Sequence, residues 1–331
     1  MATYYGTYGQ KVQYLASDPS DPQIGQVWYN STSAVLKVRS ATTSGTWATA
    51  PAYPTALYAM GSAGTETATL GMGGDTFPSP NPRGSNVVAK YNGTSWTAST
   101  NYPTGLTWIT GTGTQTAALG VFGNPSPGPY QSVANTFNGT SWTPVTSAPY
   151  GAEAASGSGT QTAALYYGGG TQTPGSPTNN TISWNGSSWT SLSAMNVNRY
   201  GSTTSIGTQT SAVAAGGYDT TPQTSTDNWN GSTWTSSGAL PFGQNNFTSW
   251  GSQTAALAAG GDQSPNSASL LYNGSTWTAT TNLTAGTSGR AGGAGTQTSG
   301  LMWGGQAPTK TTNAYTWTGP GVAETRTVTV S

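Results

Sequence analysis

"YNGTSWT", Tyr91 to Thr97, is written five times with small changes: "FNGTSWT" from Phe137, "WNGSSWT" from Trp184, "WNGSTWT" from Trp229 and "YNGSTWT" from Tyr272. Each copy runs aromatic, Asn-Gly, two small hydroxyl residues, Trp. Asn-Gly between β-prone runs predicts a hairpin, because both residues tolerate the positive φ that the centre of a type I′ turn requires. With Trp47 added, the cassette tryptophans are Trp47, Trp96, Trp142, Trp189, Trp234 and Trp277, spaced 49, 46, 47, 45 and 43 residues apart.

Two further markers keep the same register. The first is "GTET" at Gly64, "GTGTQTAAL" at Gly111, "GTQTAAL" at Gly159, "GTQTSAV" at Gly207, "GSQTAAL" at Gly251 and "GTQTSGL" at Gly295. The second is a glycine pair or triplet at Gly73, Gly168, Gly216, Gly260 and Gly304, reduced to a lone Gly123 in one repeat. Three markers in register over periods of 40 to 50 residues predict a propeller or a solenoid. Each unit reads as four short strands: one before GTQT, a small apolar one such as "TAALYY", one such as "SASLLY", and one carrying the Trp. No window sustains a 3.6-residue period, and β-branched and aromatic residues prevail. The fold expected is therefore all-β, a propeller of four-stranded blades, with small residues near the axis and large aromatics between blades.

Composition narrows the function. Of 331 residues only 5 % are charged, nine acidic and nine basic. That leaves no electrostatic footprint for nucleic acid or an anionic membrane. No apolar run approaches the roughly 20 residues of a spanning helix, and "MATYYGTYGQKVQYL" lacks the basic and apolar regions of a secretory signal. The chain contains no Cys and no His. Disulfides, thiolate or imidazole metal sites and Cys or His catalysis fall away together, and no cofactor is expected. The "NGT" and "NGS" triplets match a glycosylation acceptor, but a turn already accounts for each.

An apolar strand ending in Gly-Gly, followed by an aromatic and then a Trp, resembles the kelch repeat of β-propellers over residues 52 to about 330. The aromatic-to-Trp gap of five residues is shorter than in kelch. The wording "GTQTAAL…GG…YNGTSWT" resembles kelch-like repeats of bacteriophage structural proteins, especially those of marine phages. "DPQIGQVWYNSTSAVLKVR", Asp21 to Arg39, resembles a leader segment near the start of phage tail and fibre proteins. These resemblances imply a non-enzymatic virion protein, made in the host cytoplasm. It would be a tail, fibre or other surface propeller contacting a host glycan or protein, with other virion proteins as partners and homo-oligomerisation open. The alternatives are a capsid decoration protein without a receptor and a polysaccharide-degrading glycosidase. Kelch-like propellers also include copper oxidases, whose site needs His and a Cys-linked Tyr that this chain lacks.

Blade number rests on Trp47. "GTWATAPAYPTAL" matches "TSWTASTNYPTGL", so the Trp47 strand reads as the end of a blade of its own, built with "KVQYLA", "QVWYN" and "AVLKVR". "VAETRTVTV" then supplies the fourth strand of the last blade. Seven blades follow, the alternative being six plus an N-terminal hairpin. Residues 1–50 are expected as an attachment segment or first blade and 51–331 as the repeats.

Candidate site residues lie after the glycine pairs: Asp75, Asn124, Asp219 and Asp262, on the connection between second and third strands. They read as a ring of carboxylates for a cation or sugar, or as turn formers bonding their own backbone. These connections vary while the frame does not, and variable loops on a rigid scaffold carry binding. Phe77 and Tyr130 are the loop aromatics suited to stacking on a sugar or partner. Tyr53, Tyr102, Tyr150, Tyr200 and Phe242, entering the first strands, read as core or as an aromatic collar on the opposite face. A glycosidase would need two close carboxylates, and Asp219 with Asp227 is the pair available there.

Overall fold

The computed structural model describes residues 12–41, 44–77, 83–171, 176–202, 205–287, 290–306, 308–321 and 323–328. Among them there is no helix, and the chain divides into two compact units: residues 47–317, and residues 1–46 together with 318–331.

The larger unit is a succession of like sheets. The first pairs Gly61–Gly64, Thr69–Met72, Val88–Tyr91 and Trp96–Ala98 in that order. The second, third and fifth repeat it from Thr110–Thr114, Ser156–Gly159 and Thr248–Ser252. The fourth holds Ala212–Ala215, Thr226–Trp229 and Trp234–Ser237, with a bridge between Gly207 and Ala212 at its inner edge. Successive inner strands lie side by side. Ser158 Oγ donates to Ile206 O at 2.9 Å, Ile206 bridges Gly251 in parallel, and the last inner strand, Gly292–Thr296, neighbours the first. This is a propeller-like arrangement.

The last sheet corrects the expectation for Trp47. Its order is Gly292–Thr296, Ser299–Trp303, Ala314–Thr318 and then Thr46–Ala50. The Trp47 strand thus completes the sheet at the other end of the chain. "VAETRTVTV" does not take that place: Ala323–Thr327 pairs with Val35–Ala41 in the smaller unit, beside Val27–Asn30 and Gln13–Leu15. The physical reason is packing. Trp47 lies 5.1 Å from Trp317 and 6.2 Å edge-on to Trp250, between the fifth and last sheets, where the other cassette tryptophans have their equivalents.

The hairpin also differs from expectation. Tyr91 pairs Trp96 directly, so the turn is the four residues Asn-Gly-Thr-Ser. Gly93 is left-handed at φ 93°, whereas Asn92 is not among the left-handed residues. Asn92 acts through its side chain instead: its Oδ1 accepts from the amides of Thr94 and Ser95 at 3.0 and 2.8 Å. The same clasp recurs at Asn138, Asn185, Asn230 and Asn273. The turn is one an Asx side chain closes.

The GTQT glutamine links neighbouring sheets. Gln253 Nε2 donates to the carbonyls of Ala212 and Trp229 in the preceding sheet, at 2.9 and 2.7 Å. Gln115, Gln161, Gln209 and Gln297 make the same pair of bonds one sheet back. Each clip adds a second donor to two carbonyls at the last pair of a second and a third strand, and so ties the end of one ladder to the next sheet. The first repeat carries Glu66 at this position. An ionised carboxylate has no proton to donate, so that junction is built without a clip.

Candidate functional site

Antiparallel order puts the second-to-third connections and the segments entering the first strands at one end of the sheets, and the Asn-Gly hairpins at the other. Tyr58 bridges Asp75, Thr107 bridges Asn124, and Tyr200 bridges Tyr218. The aromatics entering the first strands therefore share the loop end, not the opposite face. Tyr53 and Tyr102 are buried there as packing, and Tyr150 stacks on Phe122 at 5.6 Å.

Six backbone positions define the centre of this end: Ala59, Trp108, Ala154, Gly201, Asn246 and Arg290, one per sheet, all at φ between 50° and 59°. Five of them are not glycine, and each such residue costs about 1–2 kcal/mol in the left-handed region. Hydrogen bonds around the ring hold them in place. Trp108 N donates to Ala59 O at 2.8 Å, Gly201 N to Ala154 O at 2.9 Å, Asn246 N to Gly201 O at 2.7 Å, and Arg290 N to Asn246 O at 3.0 Å. Repetition makes the strain part of the frame, while the side chains at these positions are free to differ.

Around the ring lies an arc drawn from four sheets. Tyr130, on the second sheet's loop, bonds Glu153. Burial first, then the Glu153 carboxylate, push its hydroxyl up to about 12. Glu153 Oε2 also accepts from Asn124 Nδ2 at 3.1 Å. Tyr200 and Tyr218 of the fourth sheet have ring centroids 5.5 Å apart. Burial raises the Tyr200 hydroxyl, with smaller contributions from Tyr218, Glu153 and Asp262. Asp262 Oδ2 accepts from Asn245 Nδ2 and Asn246 Nδ2 at 3.0 and 2.8 Å. The arc thus presents tyrosine faces, two carboxylates and amides, all partly held by one another.

Of the residues singled out in the sequence, Tyr130 and Asp262 belong to this arc. Asp75 and Phe77 form a separate cluster. Asp75 is 1 % exposed, ion-paired with Arg83 at 2.5 Å, and accepts from Tyr58 Oη at 2.9 Å and Phe77 N at 2.7 Å. Arg83 lies over the half-exposed Phe77 ring at 4.8 Å from its centroid. The Asp75 carboxylate is therefore a loop organiser rather than a member of a ring of carboxylates. Asp219 is partly exposed, its amide turned to Thr221 O.

The carboxylate considered with Asp219, Asp227, is 1 % exposed and ion-paired to a fully buried Arg199 at 2.6 Å. Asn196 and Ser236 donate to its other oxygen. Among the described residues no three His, Cys, Asp or Glu come together in a way that could hold a metal. Sequence reading missed Glu153, Tyr218, Trp108 and Arg290. The available signal was that scarce charged residues fall in the unrepeated segments "GAEAAS" and "TSGRAG".

No protein-family model and no curated protein matches the sequence. Among solved structures, the chain is similar to the one described as "Structure of YjhT", with 13 % of residues identical and a TM-score of 0.65, over 84 % of this chain and 99 % of that one. At that identity the likeness speaks to the fold alone.

Proposed function

We propose that residues 47–317 form a six-bladed propeller of the kelch type, closed by the Trp47 strand. In this reading the protein is a non-enzymatic virion surface component whose loop end contacts a glycan on the host. The observation that carries the reading is the arc of Tyr130, Glu153, Tyr200, Tyr218 and Asp262. Aromatic faces suit sugar C–H surfaces, and carboxylate and amide groups suit hydroxyl donors. The half-exposed Phe77 under Arg83 adds a second platform. The phage-like wording of the repeats and of residues 21–39 supports the virion setting.

The smaller unit is assigned to attachment to other virion proteins. Gln13–Leu15 is the edge of its sheet, and Tyr14, 77 % exposed, stacks on Tyr29 at 5.2 Å. Edge strands are natural templates for pairing with another chain. The test is a purified particle and a glycan array. The protein should be found on purified virions, and the isolated protein should bind a host surface glycan. Absence from virions, or no glycan bound, overturns the proposal.

A further inference from the structure

Arg290 is 2 % exposed, yet its Nε and Nη1 have no hydrogen-bond partner and no carboxylate pairs with it among the described residues. Its Nη2 donates to Ala155 O at 2.5 Å. Arg290 enters the last sheet and Ala155 the third, which stand opposite in the cyclic order, so the guanidinium reaches across the centre. Ala155 O is already served by Thr110 Oγ1 at 2.8 Å. Desolvation brings the guanidinium down to about 10, still protonated at neutral pH. A buried charge left without a counter-charge is among the costliest features a fold can carry.

A small cavity adjoins the side chain. Arg290 lines about 10 Å³ of space with Met60, Ser62, Ile109 and Thr110, the minimum one water needs, so a chloride enters only as these side chains give way slightly. The hydroxyls there already donate to carbonyls, Ser62 to Gly293 O and Thr110 to Ala155 O. Ser62 also lines a larger polar cavity of about 160 Å³, formed by residues of all six inner edges, among them Gly113, Gly159, Gly207, Gly251 and Gly295. That cavity lies at the hairpin end of the inner strands and shares Ser62 with the one that Arg290 lines.

We propose that Arg290 is the core of a halide site on the propeller axis, binding one chloride through Nε and Nη1. A water molecule would satisfy the donors but not the charge. The bound ion does both, and it fixes the side chain that ties the third sheet to the last.

The test has two arms. In the first, melting is followed at constant ionic strength while sodium gluconate is replaced by sodium chloride. The wild type should gain about 2–8 °C, and Arg290→Met should lose that dependence. In the second, wild-type crystals in bromide should show an anomalous peak within hydrogen-bond distance of Nε and Nη1. This arm needs no variant, so it decides the matter if Arg290→Met fails to fold. No chloride dependence in the wild type, the same dependence in Arg290→Met, or a peak-free site in bromide overturns the proposal.

Discussion

Two buried arginines of the same unit are treated in opposite ways. Arg199 meets Asp227 through Nη2, the carbonyls of Gly216 and Ser225 through Nη1 at 3.0 Å each, and Ser225 Oγ at 3.1 Å. Its charge is answered within the fold, and the loop entering the fourth sheet is anchored by it. Arg290 has one carbonyl and no counter-charge among the described residues. Burial lowers both guanidinium pKa values, but for Arg199 the Asp227 charge works against that lowering. The difference separates structure from site: an answered charge organises the frame, and an unanswered one leaves chemistry for a guest.

Breaking the answered pair should have the largest effect. Asp227→Ala strands the Arg199 charge in the interior, and a loss of about 3–5 kcal/mol is expected in chemical denaturation. The double variant Arg199→Met/Asp227→Leu should recover most of that loss, because a well-packed apolar pair removes both desolvation costs. Arg290→Met has no partner to strand. In halide-free buffer, where the wild type carries an uncompensated charge, the variant should be at least as stable as wild type.

A parallel contrast lies between sheet junctions. Five carry a glutamine clip and one carries Glu66. Gln253→Glu removes the donor that ties the Ala212 and Trp229 carbonyls to the next sheet and faces them with a carboxylate, so a loss of about 1–3 kcal/mol is expected. Glu66→Gln supplies the missing donor and should raise stability by about 0.5–1.5 kcal/mol, read as a higher melting temperature.

The smallest effect is expected in the other unit. Lys37, Asn30 and Trp28 hold the Asp18 carboxyl down at about 2 from 3.8. A depressed carboxylate adds stability above its unfolded pKa and loses it as pH falls through the folded one. The Asp18 tie should therefore be intact above pH 3.8 and released as pH drops through about 2, measured as the carboxyl carbon shift by NMR.

Much of the frame was legible because it is written six times. Asn-Gly, the cassette Trp and the glycine pairs each make a local contact that any one copy predicts, so sheet order and strand type could be read directly. The turn type could not, since Asn92 uses its Oδ1 rather than its backbone freedom, and both uses select the same residue. Nor could the closure. Pairing Thr46–Ala50 with the end of the chain is a contact over more than 200 residues, and Trp47 carries the same local pattern wherever it docks. The site was least legible. Asp75 and Asp262 look alike after their glycine pairs, yet Arg83 takes one and two asparagine amides hold the other. Arg199 and Arg290 both stand just before a first strand, and only the fold brings a carboxylate, carbonyls and a hydroxyl to one of them.

In the proposed function the repeats build the frame and the loop end does the binding. Glycan-array binding of the wild type, Tyr200→Ala and Thr140→Ala tests it most directly, because Tyr200 lies in the arc and Thr140 in a hairpin at the other end. Thr140→Ala should bind as the wild type does, and Tyr200→Ala should lose at least about tenfold, the worth of one stacked aromatic contact. Full binding by Tyr200→Ala, or equal loss in both variants, would contradict it.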